Sequence, residues 1–200
     1  MDMPKEFYRI IERNVQATLG VAMDERDPST YEHCSRVAGL AIELGQACAL
    51  TAHELVTLGV SAAVHDVGKI GIPDSVLKKP TPFTAEDWAV MKEHAVKSQR
   101  IVLAAPLDDV EAVGLVVRHH HERLDGAGYP DGLSGEAIPV LARMVAIVDA
   151  YDAMARIRFY GTLKTHPEIM RELSRGQGHQ HDAYLVGKFA RLIEHSAFRA

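Results

Sequence analysis

The chain has 200 residues, 47% of them hydrophobic and 24% charged, which is ordinary for one folded domain and enough to bury a core without staples. A net charge of −5 speaks against a nucleic-acid polymer as ligand, because backbone binding needs a clustered basic face. No apolar run reaches the ~18 residues of a membrane span, no secretory signal is visible at the N-terminus, and the two cysteines, Cys34 and Cys48, form no CxxC pair, so the expectation is a cytoplasmic protein that does not enter a membrane.

The apolar positions recur at helical spacing and strand-like alternation is hard to find, so the expected fold class is all-α. Residues 1–28 read as an N-terminal helix or extension, ahead of one domain over 29–200. Asp27-Pro28-Ser29 opens a longer helix, with Ser29 and Glu32 spaced as a capping box. His33, Val37, Leu40, Leu44 and Cys48 share one of its faces. A second helix runs from about Ala52 to His65 and is ended by Gly68, Gly71 and Pro73.

Thr84 and Asp87 form another capping pattern, and the helix that follows carries His94 and Ile101 until Pro106 breaks it. The pattern resumes over 108–122. Val113, Val116, Val117 and His120 share one stripe and His121 lies on the adjoining one, which turns both histidines inward and leaves His119 outside. From Leu124 to Pro139 four glycines and two prolines indicate an ordered loop. Leu141–Met154 is the most apolar helix, interrupted by Asp149 and Asp152. Gly176-Gln177-Gly178 separates the last two helical stretches.

Each of His33, His65, Asp66, His94, His120, His121 and Asp149 falls on an inward helical face or a helix end. Unpartnered buried imidazoles and carboxylates are costly, so one shared metal centre accounts for all seven. Seven ligands exceed the usual number for one metal. Two are implied, with Asp66 as the bridge because a carboxylate offers two oxygens. A water lying between two cations would be deprotonated at neutral pH and act as a nucleophile.

The segments HDVGKIGIPDSVL, MKEHAVKSQRI, HHERLDGAGYPDGL and ARMVAIVDAYDAM, in that order, resemble the HD-GYP phosphodiesterases of the HD superfamily, over roughly residues 29 to 192. The resemblance implies a helical HD bundle with a metal centre in its core and an extended GYP loop. It also implies two divalent ions, iron or manganese, and hydrolysis of cyclic di-GMP to pGpG and on to GMP. It makes the same seven residues ligands, gives Asp66 and Lys69 the catalytic roles, and places Lys69 on a substrate phosphate. Arg123, Asp125, Gly126, Gly128, Tyr129, Pro130 and Arg158 match substrate-binding positions. Glu122 matches an acid expected to support a ligand histidine.

Two departures qualify the resemblance. Members with a third metal carry a glutamate four residues before the first ligand histidine; that position is Ser29 here, which favours a two-metal centre. After Asp149 the chain reads DAMARIRFYG, with Ala155-Arg156 and Gly161 in place of residues that help hold the substrate. The alternatives are therefore an impaired cyclic di-GMP sensor or interaction module, or a phosphohydrolase of another nucleotide. A diguanylate cyclase domain, a separate sensory protein and a second copy of the chain are the further partners considered. His181-Asp182 reads as the start of a helix capped by Asp182, Trp88 as helix packing, and His53, His166, His179 and His195 as surface residues.

Overall fold

Asp27 begins a helix of 20 residues, the longest among the described residues. In the computed structural model, which describes residues 17–156 and 164–200, its carboxylate accepts from the Ser29 N–H and hydroxyl and from the Thr30 hydroxyl. The cap is thus Asp27, two residues before the expected Ser29. Pro28 explains the difference, since proline fits the first helical position and needs no N–H partner there.

Among the described residues there are nine α-helices and no strand. They are α1 (17–26), α2 (Pro28–Ala47), α3 (Ala52–Val64), α4 (Asp74–Leu77), α5 (Ala85–Leu103), α6 (Val110–His119), α7 (Val140–Ala155), α8 (His166–Arg175) and α9 (Ala183–Ile193). Short 3-10 turns cover Val67–Gly71 and Gly135–Ala137. Reciprocal capping boxes start α3 at Thr51 and Glu54, and α5 at Thr84 and Asp87. Asp182 caps α9 through the N–H groups of Tyr184 and Leu185, as its position in the sequence suggests.

The central helix α2 packs on α3, α7 and α9, while α5 packs on α6 and on the turn after α3. Two apolar clusters result. Leu40, Leu44, Leu58, Val145, Val148, Tyr151 and Phe189 belong to the larger, and Met23, Cys34, Val64, Val67, Val102, Val113 and Val117 to the smaller. Helices α2, α3 and α6 contribute to both, so the polar groups they carry are held between two dry walls. Met23 brings α1 into the second cluster, and Arg26 at its end donates to the Ile72 carbonyl.

Gly68 fixes how closely the turn approaches α5. A Cβ there would lie 2.1 Å from the His94 carbonyl oxygen and 2.4 Å from the Ser98 nitrogen. The Gly68 N–H instead donates to the Ser98 hydroxyl at 2.8 Å. This contact presses the residues just before the turn, His65 and Asp66, against His94.

Candidate metal centre

His65 and His120 each sit at the C-terminal end of a helix, where carbonyls lack partners, and His94 lies within α5. All three use one device. Nδ1 lies 2.8 Å from the Ala62 carbonyl for His65, 2.7 Å from that of Met91 for His94, and 2.7 Å from that of Val117 for His120. A carbonyl only accepts, so each Nδ1 carries the proton and each Nε2 presents a lone pair to the interior.

His33 reaches the same place from α2. Its Nδ1–H donates to Asp152 at 2.8 Å, and the Asp152 carboxylate is held by Arg36 through Nε at 2.8 Å and Nη2 at 3.0 Å. His33 and Arg36 are one turn apart on α2, as are Asp149 and Asp152 on α7. The two pairs interlock, which leaves His33 Nε2 2.9 Å from Asp149 Oδ1.

The structure brings together all seven residues singled out from sequence. Donor atoms of Asp66, His94, His120 and His121 lie within 4.8 Å of one another, as do those of His33, His65 and Asp66, and those of His65, His120 and Asp149. Asp66 is common to the first two groups. His33 Nε2, His65 Nε2, His94 Nε2, His120 Nε2 and Asp66 Oδ1 are buried without a hydrogen-bond partner. Nitrogen and carboxylate donors pointed at one another with nothing bonded to them fit divalent cations, and the imidazole–carboxylate mixture suits first-row metals.

The electrostatics favour the ligand forms. Burial alone would raise the Asp66 carboxyl, but Lys69, His65 and His94 hold it well below the usual carboxylate range. Asp149 is likewise driven well down against its burial, chiefly by His33. Burial lowers His94, lowers His120 strongly, and brings His121 to about 3. His65 is the exception, raised well above its ordinary value against its burial by Cys34 and Asp66.

Lys69 projects from the 3-10 turn and its ammonium pairs with Asp66 Oδ2, which also lies 3.4 Å from His65 Nε2, while Oδ1 lies 3.3 Å from His94 Nε2. On the other side the GYP loop closes over His121. The Tyr129 ring stacks on that imidazole with centroids 4.8 Å apart and faces His94 edge-on at 6.3 Å. Gly128 makes the close approach possible, since a Cβ there would lie 2.5 Å from Glu122 Cα and Arg123 N. Gly126 has φ +76°, a conformation that favours glycine. Pro130 follows Tyr129 through a cis peptide. Arg123 and Asp125 pair with each other, and Asp125 also accepts from the Ala127 N–H at 3.0 Å, so both shape the loop.

Glu122 differs from its expected role. Its Oε1 accepts from the N–H groups of Asp131 at 2.7 Å and Gly132 at 3.1 Å, and its Oε2 is buried with no partner, so it supports the loop backbone instead of a ligand histidine. His119 is also corrected. It turns away from the other imidazoles as expected, but it is buried and its Nε2–H donates to Asp131 at 2.8 Å beside a two-pronged contact from Arg118. His166, read as a surface residue, is buried between the Tyr151 hydroxyl at 2.8 Å and Glu194 at 3.0 Å. Trp88 is half exposed and meets the Phe83 ring edge-on, with centroids 5.2 Å apart. Arg158 and Gly161 lie outside the described residues.

Asp152 is the residue that sequence reasoning passed over. Its signal was present as a second acid one turn after Asp149, matched by an arginine one turn after His33.

Comparison with known proteins agrees with the geometry. The HD domain family matches residues 18–185. The cyclic di-GMP phosphodiesterase response regulator RpfG of Xanthomonas campestris is 38% identical over 184 residues, covering 90% of this chain and 48% of its own length. The 3'3'-cGAMP-specific phosphodiesterase 2 of Vibrio cholerae is 33% identical, covering 88% of this chain and 33% of its own length. The chain therefore spans at most about half of these relatives. Among solved structures, an HDG"Y"P protein from Bdellovibrio bacteriovorus superposes with a TM-score of 0.67 at 21% identity, covering 94% of this chain and 64% of that one, which establishes the helical HD fold.

Proposed function

Because the chain belongs to the HD domain family and carries its HD-GYP motifs, we propose that it is a metal-dependent phosphodiesterase that hydrolyses cyclic di-GMP to linear pGpG and then to GMP. The observation that carries this reading is Asp66, whose carboxylate is shared by two donor groups, Oδ1 toward His94 and Oδ2 toward His65, while Oδ2 also meets the Lys69 ammonium. Two divalent ions, iron or manganese, would supply Lewis-acid charge and an acidified water there.

The residues divide the remaining work. His33, His65 and Asp66 hold one side, with Asp149 beside them; His94, His120, His121 and Asp66 hold the other. Each imidazole is kept in its Nε2-directed form by the group behind Nδ1, or, for His121, kept neutral by burial. The Lys69 ammonium stands at Asp66 Oδ2, where it can swing to an equatorial phosphate oxygen as negative charge grows in the transition state. Tyr129, backed by the loop, forms a wall that excludes water on the His121 side and offers a surface for a base or ribose. Arg123, Asp125, Gly126, Gly128 and Pro130 bring that wall into place, and Arg158 is proposed to add a phosphate contact.

A second reading keeps the chemistry and changes one base. Identity of 33% to a cGAMP-specific enzyme supports a mixed cyclic dinucleotide as an alternative substrate. The test is anaerobic purification, quantification of iron and manganese, and chromatography of cyclic di-GMP and cGAMP digests beside Asp66→Ala. Two metal equivalents per chain and linear products that vanish in the variant are expected. Metal-replete protein that binds the dinucleotide without consuming it would leave only a sensor.

A further inference from the structure

Lys92 lies on α5 two residues before His94, with an exposed side chain, and its ammonium rests 5.4 Å from the centroid of the Tyr129 ring. Every other described lysine has an oxygen partner. Lys69 pairs with Asp66, Lys78 with Asp74, Lys79 with Asp87, Lys97 with Glu93 and Lys164 with Glu172, while Lys188 donates to the Ala47 carbonyl. The carboxylate nearest to Lys92 in sequence, Glu93, is already engaged by Lys97 at 2.7 Å. Lys92 thus keeps an uncompensated positive charge and is held over the ring by its π face.

The place of that charge is specific. From Lys69 the path runs through Asp66 to His94 and His121, then to Tyr129 stacked on His121, and ends at Lys92. The donor residues are thus in contact with one ammonium group at Asp66 and, through Tyr129, linked to a second at the exposed Lys92. A cyclic dinucleotide carries two phosphodiester anions separated by a nucleoside on either side. If one is placed among the donor groups beside Lys69, the other must lie toward the rim, within the sweep of a flexible four-carbon stem.

Resting on the hydrolysis proposed above, we infer that Lys92 is a substrate-binding residue that holds the second, non-scissile phosphodiester of the cyclic dinucleotide, with Tyr129 presenting it. The centre therefore prefers substrates with two phosphate groups over simple diesters with one. Salt weakens this preference by screening the rim charge.

The test compares wild type, Lys92→Met, Lys92→Gln and Lys92→Arg, all metal-loaded, on cyclic di-GMP and on bis(4-nitrophenyl) phosphate, which has a single phosphodiester. Melting temperature and metal content serve as the folding controls. Both neutral variants should raise KM and Kd for cyclic di-GMP roughly tenfold, with a far smaller loss on the chromogenic diester, and Lys92→Arg should recover most of the affinity. Equal losses on both substrates, or no loss on either, would overturn the inference. Wild type that binds cyclic di-GMP without consuming it would defeat hydrolysis alone, and the ratio of Kd values would still decide the role of Lys92. Absence of binding by wild type would defeat both.

Discussion

Asp152 Oδ2 lies 2.8 Å from His33 Nδ1 across the interface of α2 and α7, joining two residues 119 positions apart in sequence. Arg36 grips the same carboxylate from a partly buried position, so a three-residue network sets the orientation of one imidazole of the centre. Burial opposes ionisation of Asp152, but His33 and Arg36 keep its carboxyl below the usual range. A partner of this kind typically governs metal affinity by 10- to 100-fold. Asp152→Asn should therefore lower metal affinity by about tenfold or more at unchanged secondary structure, read by competition with a chromogenic chelator. Unaltered affinity would mean that His33 does not depend on the contact.

The approach of the Val67–Gly71 turn to α5 leaves no room at Gly68. Gly68→Ala must displace backbone, because the atoms it would strike are the His94 carbonyl oxygen and the Ser98 nitrogen. Such overpacking costs about 1–3 kcal/mol. Since the same turn carries Lys69 and follows Asp66, activity should fall more than the loss of stability alone explains. Urea unfolding and metal titration on the same preparation separate the two effects.

Asp131 ties the GYP loop to α6 through Arg118 and His119, which bring its carboxyl down to about 2. The side chain is about one-third exposed, so solvent screening limits the contact to roughly 1 kcal/mol or less of stability. Asp131→Ala should leave global melting nearly unchanged while making the loop over 123–135 a site of faster proteolysis. Mass mapping of limited digests gives the answer, and cleavage rates equal to wild type would remove the latch.

Burial and the nearby Arg123 lower His181 to about 4. In the unfolded chain the same ring takes its proton near 6.5, so the unfolded state binds more protons between those values. The contribution of neutral His181 is fully present above about 6.5 and is lost as pH falls toward 4. At about 1.4 kcal/mol per unit the change is on the order of 3 kcal/mol. Denaturant unfolding at pH 7 and pH 5 should show part of this decline, and His181→Phe should flatten it; a decline of the same size in the variant would assign it to other groups.

Local signals in the sequence carried far. Helical periodicity and the patterns at Thr84 and Asp182 located helices whose caps the structure contains, and the inward stripe on α6 separated His120 and His121 from His119. Asp27 displaced Ser29 as a cap because two acceptors flank Pro28, and only the chain path decides between them. The polar contacts of His119 and His166 had no such signal, and that of Asp152 had only the matched spacing of Asp149 with Asp152 and of His33 with Arg36. Their partners lie 12, 15 or 28, and 119 residues away, and helix docking alone brings them within reach.

The bonds from Nδ1 of His65, His94 and His120 to carbonyls three residues earlier in their own chain segments lock each ring to its own helix. These rings cannot adjust independently when α3, α5 or α6 slides against a neighbour. A sub-ångström shear between helices therefore passes undiminished into the separation of the Nε2 atoms. The centre is in this sense a mechanical gauge of the bundle, and the electronic spectrum of a bound first-row metal would register helix movements too small to alter the overall shape.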